Sequence, residues 1–292
     1  MEVTLRAGLI SLVLGTLITG TKFAAYFFTQ SAVILSDAME SIANVAAAAF
    51  GLFAVSLARK PPDENHPYGH GKVEYLSAGF EGGMIFVAGA LILWEAGSRL
   101  LHHVEIQAIP LGIALTAVAA ILNGLLGIYL VRVGKAHLSP AIEADGRHIL
   151  TDVVTSGAAI VGLILVVVTG KVWLDPALAI GAAFYILWTA TSLLRVAIAG
   201  VMDELHPEDI TKLEIALASL QEPNLLSYSD LRTRRHGHRR HVDLTIHVPE
   251  DLTVKQGHDV ADRVEATLEA ALPNSEVLCH VEPQISREFV KK

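Results

Sequence analysis

His148 and Asp152 stand four residues apart in the stretch GRHILTDVVTS, which opens an apolar run long enough to cross a bilayer. A helix brings positions i and i+4 to one face, one turn apart, so the two side chains can address the same ion. The earlier stretch SDAMESIANV repeats the device: Asp37, Glu40, Ser41 and Asn44 cluster on one side of its helix, and Glu40 and Asn44 are again four apart. A charged group at the centre of a membrane helix costs about 2.5 kcal/mol or more, so such groups face a protein interior or water and mark ion or proton paths. One imidazole nitrogen, two carboxylates and an amide oxygen suit a tetrahedral Zn²⁺, and also accept Fe²⁺, Co²⁺ or Mn²⁺. Glu40 and Asp152 together carry the charge that cancels a dication. When the metal leaves, His148 or a desolvated carboxylate can take up a proton, so the expected chemistry is exchange of metal for protons.

The elements that must position these residues read as membrane helices. The 292 residues are 52% hydrophobic and only 18% charged, with a mean hydropathy of +0.47, too apolar for an ordinary soluble protein. Six runs, at about 7–29, 32–57, 76–101, 109–133, 147–169 and 173–199, reach the roughly 20 residues needed for a spanning helix. The first has no Ala-x-Ala-like cleavage site after it and reads as a retained helix. Arg6, Arg59, Lys60, Lys72, Arg132, Lys135 and Arg147 fall on one side of these runs, which predicts both termini in the cytoplasm. Cys279 is the one cysteine, so no disulfide can close within the chain. A net charge of −8 provides no basic field for nucleic acid.

Beyond position 203 the pattern changes to alternating helical and strand periods. A helix near 207–220, strands near 226–235 and 240–248, a helix near 253–272 and a strand near 276–282 predict an α-β-β-α-β module. In HVDLTIHV, Val242, Leu244, Ile246 and Val248 take one strand face while His241, Asp243, Thr245 and His247 take the other. RRHGHRRH, residues 234–241, reads as a solvated hairpin turn around Gly237. Between the second and third runs, DENHPYGH spaces Asp63, His66 and His70 so that a short turn set by Pro67 and Gly69 can converge them on one cation.

Taken together, the six runs, the acidic cluster of the second, HILTD in the fifth, the loop DENHPYGHGKVEYLSAG and the tail segment DLRTR resemble the cation diffusion facilitator family over nearly the whole chain. The resemblance implies a homodimeric antiporter that exports divalent transition metals in exchange for protons by alternating access. It further implies a ferredoxin-like cytoplasmic tail and a transport site built from two ligands of the second span and two of the fifth, here Glu40, Asn44, His148 and Asp152. The second span departs from the family's commoner Asp-x-x-x-Asp or His-x-x-x-Asp, so Asp37, with Ser41 four residues on, is a possible extra ligand from an alternative register. Asp63, His66 and His70 match the family's loop site. Lys72 and Asp203 match an ion pair that ties the loop to the start of the tail across the dimer. In the tail, His258, His280 and Glu282 match cytoplasmic ligands, whereas Ser229 and Thr245 stand where histidines are expected, and His247 shares the face of Thr245 and can substitute.

The reading is therefore an α-helical membrane protein with six transmembrane helices in residues 1–203 and a small α+β domain for metal binding and dimerisation in residues 204–292. It sits in the bilayer of the inner or plasma membrane as a homodimer, needs no organic cofactor, and moves Zn²⁺ in first place, with Fe²⁺, Mn²⁺, Co²⁺ or Cd²⁺ as further substrates. Two rivals belong to other classes. An intramembrane protease lacks its motifs, since neither His-Glu-x-x-His nor Gly-x-Gly-Asp occurs. A membrane-anchored sensor that binds metal in its tail alone leaves the cost of the paired intramembrane ligands unexplained.

Overall fold

The computed structural model describes residues 2–29, 32–101, 110–171 and 173–284. The chain divides into two units, Met1–Ala199 and Gly200–Lys292. The first holds α1 (Glu2–Thr29), α2 (Ala32–Leu57), α3 (Val73–Leu101), α4 (Pro110–Ala136), α5 (Pro140–Thr169) and most of α6 (Leu174–Val201). Among the described residues, five helices are long and apolar enough to cross a membrane: Val3–Ala24, Val73–Ser98, Ala117–Ala136, Pro140–Val166 and Pro176–Val201.

The expectation of six membrane-crossing helices is corrected by this count. The helix that drops out is α2, whose described apolar stretch is Asn44–Leu57. Its first half carries the polar residues Ser36, Asp37, Glu40 and Ser41. Among the described residues that stretch has fourteen residues, fewer than the roughly 20 a spanning helix needs.

Within this unit α4 and α5 form a close antiparallel pair, while α1 packs on α2 and α3 packs on α2 and α5. The approach of α4 to α5 depends on glycine: a Cβ at Gly134 would lie 2.5 Å from the Glu143 backbone nitrogen, and one at Gly146 would lie 2.7 Å from that of Val131. Pro140 opens α5, where its missing N–H costs nothing. Gly170 closes the helix in the left-handed conformation at φ 69°, where a side chain would be strained. The α5 backbone is thus fixed at both ends and pressed onto α4, and it carries His148 and Asp152.

The second unit runs α7 (Pro207–Ser219), β1 (Ser227–His236), β2 (Arg239–Val248), α8 (Val254–Ala271) and β3 (Ser275–Pro283). This is the α-β-β-α-β order expected from the sequence. β1 and β2 pair antiparallel across a two-residue turn at Gly237, whose φ of 60° suits glycine, and β3 adds parallel to β2. Val242, Leu244, Ile246 and Val248 of β2 are buried against Leu213 and Leu217 of α7 and Val260, Val264 and Leu268 of α8. Thr253 and Gln256 form a capping box at the start of α8.

A buried ion-pair cluster ties α7 to the hairpin. Asp209, 1% exposed, accepts a hydrogen bond from Arg235 Nε at 2.8 Å and faces Arg240 Nε at 3.3 Å. Burial pushes the Asp209 carboxyl up, but the Arg235 hydrogen bond and the charges of Arg235 and Arg240 outweigh it and hold the group below its ordinary value. A lowered carboxyl contributes stability that is present above about pH 4, the ordinary value, and is lost as pH falls through the lower folded value. Asp209→Asn should therefore melt earlier than the wild type at pH 7, and the gap should close as pH falls toward 3. Thermal melting of both chains across that range checks it; a gap that stays constant with pH would mean that the Asp209 charge is not its source.

Candidate metal centre

The first unit encloses a cavity of about 30 Å³ whose polar lining includes Ser11 of α1, Asn44 of α2, Asn123 of α4, and Asp145, His148 and Asp152 of α5. That is room for a bare cation or a water, not for an organic substrate. His148 is 8% exposed. Asn44 is the link between the two helices: its Nδ2 donates to Asp152 Oδ2 at 2.6 Å, and its Oδ1 meets His148 Nε2 at 2.9 Å. With Nδ2 committed to the carboxylate, Oδ1 can only accept, so His148 carries its proton on Nε2 here. Residues predicted from the two spans, Asn44, His148 and Asp152, are therefore brought to one point. The side chains of Asp37 and Glu40 lie outside the described residues.

The loop between α2 and α3 brings its three predicted residues together as well. Asp63, His66 and His70 each offer a ligand atom within 4.8 Å of the others. Asp63 Oδ1 accepts from the backbone nitrogens of Asn65 (3.0 Å) and His66 (2.7 Å) and lies 3.1 Å from His66 Nδ1; its Oδ2 lies 3.4 Å from His70 Nε2. Gly69, at φ 83°, makes the turn that returns His70 toward Asp63. Desolvation raises the Asp63 carboxyl, but the His66 backbone and side-chain hydrogen bonds, the His66 charge and the Asn65 N–H together outweigh it and hold the group below its ordinary range.

The tail residues are only partly gathered. The parallel register sets His247 beside Glu282 and Thr245 beside His280, so His247, His280 and Glu282 share one sheet face, with His280 Nε2 3.3 Å from Glu282 Oε1. His247 Nε2 lies 3.1 Å from the Ser229 hydroxyl. His258 belongs to α8, which packs on the opposite face of β2, and its Nδ1 faces Asp262 at 3.5 Å. Asp203, at φ 58°, faces His236 Nε2 at 3.6 Å, and Lys72 closes the first turn of α3 through its carbonyl. These two belong to different units.

Sequence reasoning missed the contributions of Ser11, Asn123 and Asp145. Asp145 could have been found, since it stands three residues before His148 and seven before Asp152, on the same helical face. Lys22 was missed too, a lysine inside an apolar run whose Nζ donates to Ser41 Oγ at 2.8 Å.

A bundle of apolar helices holding a small cavity of imidazole, carboxylate and amide groups defines an integral membrane protein built to handle a cation. Its relatives give the family. Residues 8–202 match the cation efflux transmembrane domain and residues 205–284 the cation efflux protein cytoplasmic domain, the family's dimerisation module. An uncharacterized transporter of Synechocystis, sll1263, is 40% identical over 90% of this chain and 85% of its own. The cation-efflux pump FieF of Shewanella oneidensis is 31% identical over 92% of this chain and 90% of its own. A solved chain from the Zn form of CzrB is 30% identical, covering 30% of this chain and 97% of its own, with a TM-score of 0.28. This chain belongs to the cation efflux, or cation diffusion facilitator, family. It is a cation-efflux transporter and not an enzyme.

Proposed function

We propose that the chain exports divalent transition-metal ions in exchange for protons, with Glu40, Asn44, His148 and Asp152 as the transport ligands. The observation that carries this is the Asn44 amide, which draws His148 Nε2 and Asp152 Oδ2 to 2.9 and 2.6 Å of its own atoms across two helices. A metal can take His148 Nε2 only when that nitrogen is free of its proton, so an imidazolium ring releases one proton on metal capture, while a neutral ring shifts its proton to Nδ1. Zn²⁺ is the preferred substrate because a buried imidazole favours a borderline ion over a hard one, with Fe²⁺ and Mn²⁺ next and Co²⁺ or Cd²⁺ acceptable. Rocking of α2 against α5 would expose the site first to one side and then to the other.

The charge bias supports a cytoplasmic C-terminal unit, the match to the family's dimerisation module supports a homodimer, and the inner or plasma membrane would house it. The loop group Asp63, His66 and His70 would hold a second metal in a structural or access role. His247, His280 and Glu282 on the sheet face would form a weaker tail site, with His258 from α8 joining only after rearrangement. Lys72 of one protomer and Asp203 of its partner would form a charge interlock across the dimer.

Purified chain in vesicles with an internal pH dye tests the main reading. Entry of Zn²⁺ coupled to proton exit is expected, with slower entry of Fe²⁺ and Mn²⁺; metal flux without proton flux would contradict the coupling. For the loop, His70→Ala should lower the Zn²⁺ bound per chain at equilibrium dialysis by one, while Zn²⁺ flux persists. An unchanged stoichiometry would remove the loop site.

A further inference from the structure

Glu81, on α3, is a buried carboxyl that the transport site does not use. It is 0% exposed, and neither of its oxygens has a hydrogen-bond partner among the described residues. Ser77, one turn earlier on the same face, is likewise 0% exposed with its hydroxyl unpartnered among those residues. Both border the notch left by Gly51 of α2, where a Cβ would lie 3.3 Å from Glu81 Oε1 and 3.9 Å from Ser77 Oγ. A carboxylate deprived of water and of donors is among the most expensive groups to bury, and it must hold either a cation or a proton. The notch beside Gly51 is too tight for a hydrated metal.

From α5, Ala144 packs on the α3 face that holds Ala78 and Ile85, and the next residue, Asp145, is among the described residues the charged group that bears on Glu81 and also lines the metal cavity. From α2 the facing residue is Gly51, and α6 contributes the apolar Ile186, Ala190 and Leu193 to the adjoining face of α3. Asp145 therefore couples Glu81 to the cavity by charge. With no metal present, its negative charge opposes a second one on Glu81; a dication beside it reverses that field.

We propose that Glu81 is the seat of a transported proton, holding it while the metal cavity is empty and releasing it when a dication enters. The O–H bond of the Glu81 carboxyl breaks as metal arrives on the cytoplasmic side, the proton leaves to water there, and the bond re-forms with a proton from the opposite side after the metal departs. This rests on the metal–proton exchange reading above, and it makes Glu81 a carrier of the counter-ion and not a metal ligand.

The full chain in vesicles, loaded with Zn²⁺ and a pH dye, tests it through the number of protons moved per Zn²⁺. Glu81→Gln should lower that number by one and flatten the dependence of flux on the pH gradient, and Zn²⁺ affinity should lose the part of its pH dependence that proton release from Glu81 supplies. A proton count equal to wild type would overturn the inference and leave the exchange reading intact. A wild type that moves Zn²⁺ without protons would overturn the exchange reading and this inference with it. Should Glu81→Gln fail to fold, the wild type still decides. A hydrophobic carbodiimide, which attacks protonated carboxyls, should modify Glu81 in metal-free vesicles and be blocked by Zn²⁺, read by peptide mass. No modification, or modification indifferent to Zn²⁺, would overturn the proposal.

Discussion

Asp152→Ala should abolish Zn²⁺ transport, lowering flux by about 100-fold or more, the equivalent of roughly 3 kcal/mol lost from a buried charged interaction. Two effects add. The site loses a carboxylate that balances the dication, and Asn44 Nδ2 loses the acceptor it holds at 2.6 Å, so the amide is no longer fixed toward His148. Asp152→Asn separates the two, because it keeps the shape and removes only the charge. Flux in vesicles should be as low for Asn as for Ala if charge is the main requirement. Wild-type flux in either variant would exclude Asp152 from the path of the ion.

Gly134→Ala should lower the melting temperature in detergent by about 5 °C, within what overpacking of roughly 1–3 kcal/mol produces in a chain of this size. The added methyl meets the nitrogen, Cα and Cβ of Glu143 at 2.5, 2.8 and 2.9 Å, and backbone cannot turn aside as the end of a long side chain can. α5 would have to lift off α4 near its start, carrying His148 and Asp152 away from Asn44, so metal flux should fall along with stability. Gly83→Ala, where the added methyl meets nothing within 4 Å, is the control and should melt as the wild type does. A Gly134→Ala protein with wild-type melting would mean that α4 and α5 are not held at this distance in the membrane.

The site was legible in the sequence because its chemistry is local to each helix. His148 and Asp152 share a face by spacing alone, as do Glu40 and Asn44, and DENHPYGH carries its own turn. What spacing does not hold is the contact between helices. That the Asn44 amide bridges His148 and Asp152, or that Ser11 and Asn123 close the cavity, depends on packing of α1, α2, α4 and α5 at long range. The count of spans differs at α2, where the apolar stretch among the described residues is Asn44–Leu57. In the tail, period-two alternation gave the strands and which residues share each strand face, including His280 with Glu282 and Thr245 with His247. It could not assign His258 to the far side of β2, because a strand's alternation says nothing of which face its helix covers.

The central claim, that metal binds between α2 and α5, is tested most directly by locating Zn²⁺ in the full chain by anomalous scattering after soaking with the ion. The account predicts a peak about 2.0–2.2 Å from His148 Nε2 and an Asp152 carboxylate oxygen, the ordinary Zn–N and Zn–O range, in addition to one at Asp63, His66 and His70. Peaks at the loop and tail with none between α2 and α5, under conditions where the same protein transports Zn²⁺, would contradict it.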